Sequence, residues 1–387
     1  MAGALDHAQA RCADFLVIGG GIAGASAAYF LAPHGRVVVL ERESQPGYHS
    51  TGRSAALYMA SYGNAQVRAL TRASLPFFLH PPQGFANHAL LSPRAALVVA
   101  KPGQEASLQA MHEALQQAGS STTQMDAAAT LAQVPVLRAE LVGGCLYESD
   151  AFDIDVHGLH QGFLKGIRSR GGHILCNAEV RSIERHGDAW RVQTSAGPWS
   201  AAVLLNAAGA WADQVADLAG VAPIGLVPKR RSAFTFSPPA QMPTAQWPAV
   251  ISLDEDWYFK PDAGALLGSP ANADPTEPQD VQPEEWDIAL GVHRLQEATT
   301  LNITRPLHTW AGLRSFVADG GLVGGFDAQA PGFFWVAAQG GYGVQTSPAM
   351  GQACAALARG QPLPDALVQE GLDAESLSPQ RLLRSRG

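Results

Sequence analysis

Cysteine is scarce in this chain. The four present, Cys12, Cys145, Cys176 and Cys354, lie far apart and form no CxxC pair. That excludes a disulfide scaffold and a zinc centre of ordinary spacing, leaves buried free thiols, and gives no reason to expect a metal. No apolar run approaches the ~18 residues of a membrane-spanning helix. The first residues, with Asp6, His7 and Arg11, lack the apolar core of a signal peptide. Basic stripes are missing too: the densest cluster is Lys229-Arg230-Arg231, in a chain of net charge −8 and pI near 5.8. Nucleic acid and anionic membranes are therefore poor partners. No internal repeat appears. A protein of a reducing cytoplasm is expected, with peripheral attachment at the inner face of the membrane as the alternative.

Glycine is abundant, with 40 residues, and apolar residues make up 47% of the 387. A large core is possible, and the length suggests two lobes. The glycines begin to matter at once. Phe15-Leu16-Val17-Ile18 runs into Gly19-Gly20-Gly21-Ile22-Ala23-Gly24, then into the small residues Ala25-Ser26-Ala27-Ala28. A second apolar run, Val37-Val38-Val39-Leu40, ends in Glu41. Strand, glycine loop, helix, strand and acid form the dinucleotide-binding fingerprint G-x-G-x-x-G in the context it requires. Gly19 permits the tight turn, Gly21 lets the backbone approach a pyrophosphate, and Gly24 lets the helix pack on the sheet. Amides at the helix start face the phosphates, and Glu41 accepts from a ribose diol.

Two weaker turns of the same kind follow. Val203-Leu204-Leu205 runs into Asn206-Ala207-Ala208-Gly209, and Phe333-Phe334-Trp335-Val336-Ala337-Ala338 runs into Gln339-Gly340-Gly341-Tyr342-Gly343. In a doubly wound fold such turns gather at the carboxyl edge of one sheet, where three of them outline one long ligand. A helix beginning after Gly343 aims its positive end at a group that gains negative charge, as a flavin ring does on reduction. Between these landmarks the pattern predicts helices over 65–78, 157–170 and 347–358, a hairpin over 178–185 and 190–194, and strands over 173–176, 232–236, 257–260 and 265–267. The polar, turn-rich stretch 43–54 reads as a functional loop.

The specific runs Tyr48-His49-Ser50-Thr51-Gly52-Arg53-Ser54-Ala55-Ala56, Asn206-Ala207-Ala208-Gly209-Ala210-Trp211, Lys229-Arg230-Arg231-Ser232-Ala233-Phe234, Ala311-Gly312-Leu313-Arg314 and Ala338-Gln339-Gly340-Gly341-Tyr342-Gly343 carry a resemblance that spans nearly the whole chain. The chain resembles the FAD-dependent D-amino-acid oxidase superfamily, the group of glycine and sarcosine oxidases, and within it the D-arginine and D-amino-acid dehydrogenases. The resemblance implies an α/β fold, with a Rossmann-type FAD-binding domain and a discontinuous α+β substrate domain on a mixed, antiparallel sheet. Residues 1–82, 145–222 and 306–387 would form the first domain, 83–144 and 223–305 the second. Non-covalent FAD would lie along Gly19, Gly21, Ile22, Ala23, Gly24, Glu41 and Arg42, with Ser50, Thr51, Gly52, Arg53 and Ser54 at the pyrophosphate and flavin. Ala208, Gly209 and Trp211 would border it, as would Gly340, Gly341, Tyr342, Gly343 and Gln345 beside the ring.

An amino acid substrate needs its carboxylate fixed and its Cα–H aimed at the flavin. The planar fork of arginine suits the first task. The resemblance gives it to Arg231, ahead of a strand, and to Arg314, with Tyr258 as a hydrogen-bonding partner. Tyr62 would cover the pocket, and the Gly341 carbonyl would receive the amine. Two departures stand out: Ala96 and Leu57 occupy places where the arginine-specialised relative has an acid and a histidine. The expectation is oxidative deamination of neutral D-amino acids to 2-oxo acids and ammonia, with a quinone-type acceptor and no catalytic histidine; His49 orders its loop. The rivals are an O2-using oxidase of glycine, sarcosine or another secondary amine, a 2-hydroxy-acid dehydrogenase, and a non-catalytic flavin-binding module.

Overall fold

The computed structural model describes residues 11–384, so Asp6 and His7 lie outside the described residues. The chain opens with β1 (Arg11–Ile18), α1 (Ile22–Leu31) and β2 (Val37–Leu40). Then come β3 (Leu57–Tyr58), α2 (Ala65–Leu79), β4 (Leu91–Pro93), β5 (Ala96–Ala100), α3 (Glu105–Gln117), β6 (Thr123–Met125), α4 (Ala127–Gln133), β7 (Gly144–Glu148) and β8 (Phe152–Ile154). The middle holds α5 (Val156–Ser169), β9 (His173–Leu175), β10 (Val180–His186), β11 (Ala189–Thr194), β12 (Gly197–Asn206) and α6 (Ala212–Leu218). After it follow β13 (Val227–Phe236), β14 (Ala249–Ser252), β15 (Tyr258–Asp262), β16 (Ala265–Ser269), β17 (Asp274–Pro275) and α7 (Glu285–Ala298). The last part contains β18 (His308–Phe316), β19 (Val323–Phe326), β20 (Phe333–Ala337) and α8 (Gly343–Ala358).

Apolar residues on both faces of β1 explain the first sheet. Phe15 and Val17 pack into one core with α1 and α8, and Leu16 and Ile18 pack into another. A parallel strand buried on both sides reads as a continuous apolar run, as β1, β2 and β20 do. β1 lies between β2 and β12, parallel to both, and β9 continues the sheet beyond β2. The far edge of β12 is shared: its first half pairs with the β10–β11 hairpin, its last residues with β20. Register brings the strand ends level, with Ile18 opposite Leu40 and Asn206, and Asn206 opposite Trp335. The three glycine-bearing turns therefore leave one carboxyl edge side by side.

The second sheet has nine strands and is mostly antiparallel, with β5 and β14 as its parallel pair. Its strands run β17-β13-β16-β15-β14-β5-β7-β6, and β18 lies along the other edge of β13. A small third sheet, β3-β8-β4, stands apart from both. By sheet membership β7 and β18 go with the second sheet, although 145–222 and 306–387 were expected with the first; their cross-strand pairing outweighs their chain neighbours. Two elements start earlier than their sequence suggests. The strand expected over 232–236 begins at Val227, so Arg231 lies within it. The helix expected from 347 begins at Gly343 and carries Pro348 within it; the Ser347 hydroxyl donates to the Val344 carbonyl that Pro348 leaves without an amide donor.

Candidate active site

A cleft of about 330 Å³ opens at the carboxyl edge of the first sheet. Backbone crowding explains its glycines. A Cβ on Gly19, whose φ is +103°, would meet the Ala207 carbonyl oxygen at 2.4 Å, and one on Gly24 would meet that of Gly19 at 2.0 Å. No side chain caps α1 from Gly21, although Thr51 Oγ1 accepts from the Ile22 amide at 2.9 Å. Glu41 accepts from the amides of Gly20 and Glu43, both at 2.9 Å, and so ties the loop to the end of β2. At the far wall the Arg42 guanidinium lies 4.0 Å from the centre of the Trp211 ring. Among the described residues, the buried atoms His49 Nδ1 and Gln339 Oε1 find no hydrogen-bond partner, and both residues line the cleft. Convergent turns, a helix start whose N-cap residue carries no side chain, and polar atoms without partners suit an extended dinucleotide such as FAD.

A small cleft joins this one to a second of about 430 Å³. Strand register furnishes its charge. β13 and β18 pair antiparallel with Arg231 opposite Gly312 and Lys229 opposite Arg314. Arg231 and Arg314 are thus diagonal neighbours on one face of the sheet. Arg230 faces the other way, where Asp287 and Glu284 hold it. Among the described residues neither Arg231 nor Arg314 pairs with a carboxylate; Arg231 Nε donates instead to the Asn272 carbonyl at 2.6 Å. Burial and the adjacent Arg314 hold Arg231 below the usual arginine range. For Arg314 burial also opposes the charge, but the Tyr62 and Tyr258 hydroxyls outweigh it and hold it above that range. Burial likewise opposes ionisation of Tyr258, yet the two guanidinium groups make its hydroxyl more acidic than an ordinary tyrosine. Burial pushes Tyr342 up to about 12, and its ring meets that of Tyr62 edge-on at 5.0 Å. Two buried guanidinium groups and a tyrosine hydroxyl thus stand together at the inner end of the joined clefts, a setting whose charge suits an anion.

The sequence pattern of the DAO family, described as FAD dependent oxidoreductase, matches residues 14–357. The chain belongs to this family. As a DAO-family FAD-dependent oxidoreductase it binds FAD. L-2-hydroxyglutarate dehydrogenase of Escherichia coli (strain K12) is 26% identical over 237 residues, covering 58% of this chain and 54% of that protein. The chain spans about half the length of the first curated relatives it matches. FAD-dependent oxidoreductase domain-containing protein 1 of Mus musculus is 23% identical and aligns across 90% of this chain and 82% of its own. Among solved structures, L-proline dehydrogenase from P. horikoshii superposes with a TM-score of 0.82 at 20% identity, covering 97% of this chain and 99% of that one. Glycine oxidase from Geobacillus kaustophilus gives 0.79 at 20%, covering 91% and 95%. These structural likenesses show the shared fold.

In this DAO-family chain most of the expected cofactor residues line the joined clefts. Gly19, Gly21, Ile22, Ala23, Glu41, Arg42, Ser50, Thr51, Ala208, Gly209, Trp211 and Gly340 border the first. Ser54, Gly341, Tyr342, Gly343 and Gln345 lie further in, beside Arg231, Arg314, Tyr258 and Tyr62. Gly24 and Gly52 line neither; both serve backbone packing, with Gly52 donating to the Gly47 carbonyl at 2.8 Å. The Arg53 guanidinium holds Asp280 and the carbonyls of Val281 and Ala311. Ala96 is 1% exposed, lies across the ladder from Glu148 and does not border the second cleft, whereas Leu57 does. Sequence reasoning missed His160, whose Nε2 donates to the Gly20 carbonyl at 2.8 Å and whose burial holds it below the usual histidine range. It also missed Arg68, which borders the second cleft with a buried Nε that has no hydrogen-bond partner among the described residues. No motif marks either; each is one polar residue on an otherwise unremarkable helix. Among the described residues no helix is long and apolar enough to cross a membrane.

Proposed function

We propose that the chain oxidises neutral D-amino acids to 2-oxo acids and ammonia. The observation that carries this reading is the pair of guanidinium groups, Arg231 and Arg314, which no carboxylate among the described residues neutralises. Two such forks suit the carboxylate of a substrate, each through paired hydrogen bonds. The Tyr258 hydroxyl shares that anion, and Tyr62 closes over it beside Arg314. The Gly341 carbonyl is assigned the substrate amine, so that carboxylate and amine together orient the α-hydrogen. When bound, FAD supplies the acceptor for the hydride that leaves Cα. The amine gives its proton to water, and the imine is then hydrolysed; no side-chain base is assigned. Val98, Met111, Leu115 and Ile251 border the cleft beyond the arginines, which favours an apolar side chain. A quinone-type acceptor, in place of O2, rests on the resemblance to D-amino-acid dehydrogenases.

One observation favours a second reading. Arg68 adds a third guanidinium to the wall of this cleft, and relatives of the chain act on L-2-hydroxyglutarate. A 2-hydroxy dicarboxylate would place its second carboxylate there. Anaerobic mixing of holoenzyme with D-amino acids, L-amino acids and 2-hydroxy acids decides between them. Bleaching of the flavin by D-methionine, D-phenylalanine and D-leucine supports the first reading. Bleaching by 2-hydroxyglutarate alone replaces it with the second. Hydrogen peroxide formed during aerobic turnover would overturn the choice of acceptor.

A further inference from the structure

The segment that brings Tyr62 to the substrate cleft is held from two sides, by helix α8 and by strand β7 of the second sheet. On one side Gln345 of α8 accepts from the Met59 amide at 3.2 Å and donates to Thr71 Oγ1 at 3.0 Å. On the other side Glu148, the last residue of β7, places Oε1 2.7 Å from the Ala60 amide and 3.3 Å from that of Ser61. Its second oxygen accepts from the Ser61 hydroxyl. Glu148 is 2% exposed, and among the described residues no cation pairs with it.

A carboxylate without a cation is unfavourable in such a place unless donors satisfy it. All the donors here come from the two residues before Tyr62. An apolar residue would fill the same space without that cost, so the acid is accounted for by the backbone it holds. Strand register supports this. Glu148 stands directly opposite Ala96 and therefore shares the face of the sheet that carries Val98 to the cleft. The methyl group of Ala96 offers no competing contact.

We propose that Glu148 is a positioning residue: it tethers the 60–61 backbone so that Tyr62 stays beside Arg314 and Tyr342, and thereby sets the affinity of the site for a carboxylate. The proposal rests on reading that cleft as the substrate site.

The test compares holoenzyme with its Glu148→Ala, Glu148→Gln and Ser61→Ala forms. Three quantities are read: hydrogen exchange of the 59–62 amides, the Kd of benzoate from the flavin absorbance change, and kcat and KM for the best substrate. Glu148→Ala is expected to speed exchange at Ala60 and Ser61 by about tenfold or more, and to raise Kd and KM by about tenfold while kcat changes less than about threefold. Glu148→Gln keeps an acceptor for both amides and is expected to stay within about threefold of wild type in all three. Unchanged exchange in Glu148→Ala, or equal damage in Glu148→Gln, overturns the proposal. Should Glu148→Ala not fold, Ser61→Ala removes one tether bond alone and is expected to speed exchange there by about threefold; no change overturns the proposal. Failure of the substrate reading shows separately, as wild type that neither binds benzoate nor is reduced by any amino or hydroxy acid, and the exchange data then still test the tether.

Discussion

Alternation along β13 decides which arginine is free. Arg230 spends its charge on the acids around α7, while Arg231, one residue on, faces the cleft beside Arg314. If these two hold the substrate carboxylate, Arg314→Leu lowers kcat/KM by about 10²–10³-fold, near 3–4 kcal/mol, mostly through KM and with FAD retained. Arg314→Lys recovers only part of that, because an ammonium group has no planar fork. Steady-state kinetics with a flavin absorbance ratio checks both. Gly341 matters for space. A Cβ there would stand 2.9 Å from Arg314 Nη1 and 3.0 Å from its Cζ. Gly341→Ala is therefore expected to push the guanidinium aside and raise KM by about tenfold, while an unchanged KM would remove the steric argument.

At the scale of elements, the βαβ unit was legible because Phe15 to Ile18 of β1 and all of β2 are buried, which leaves only apolar residues there. Gly19 and Gly24 could be assigned roles from spacing alone, and the crowding at both positions agrees. Gly24→Ala is expected to cost about 1–3 kcal/mol or more and to release FAD, read as a lower Tm and lower flavin content of the purified protein. The first half of β13 was not legible. Val227-Pro228-Lys229-Arg230-Arg231 carries no strand pattern and is held by β17 and β18, which lie far along the chain. Nor was the first turn of α8, where Gly343 reads as part of the glycine turn and the helix is expected only from 347. The Glu148 tether escaped notice for the same reason: its partners are 87 and 88 residues away. Its ionisation also carries a stability consequence. Burial raises this carboxyl above the ordinary 4.5, so the folded chain favours the protonated acid. The stabilisation is full below about 4.5 and is lost as pH rises through the raised value. Glu148→Gln removes this loss. Its Tm is expected to exceed that of wild type by about 1–3 °C at pH 7, with the gap closing toward pH 4.5; a constant gap would contradict the assignment.

In the whole molecule, two sheets meet so that a dinucleotide cleft on one ends at paired arginines on the other. The fold class followed from the fingerprint and the resemblance, but the order of the nine-stranded sheet depends on pairings between distant segments. The loss of an acid at Ala96 suggested an apolar preference. The structure moves that argument to Val98, Met111, Leu115 and Ile251, which border the cleft when Ala96 does not. D-Arginine is accordingly expected to have a lower kcat/KM than D-methionine, D-phenylalanine or D-leucine, and a higher value would refute the apolar wall. The central claim, that the arginines grip a substrate carboxylate, is tested most directly by the rate of anaerobic flavin reduction with D-phenylalanine against 2-phenylethylamine, which lacks only that group. The expected result is reduction by the amino acid at least about 10³-fold faster at equal concentration; equal rates would contradict the claim.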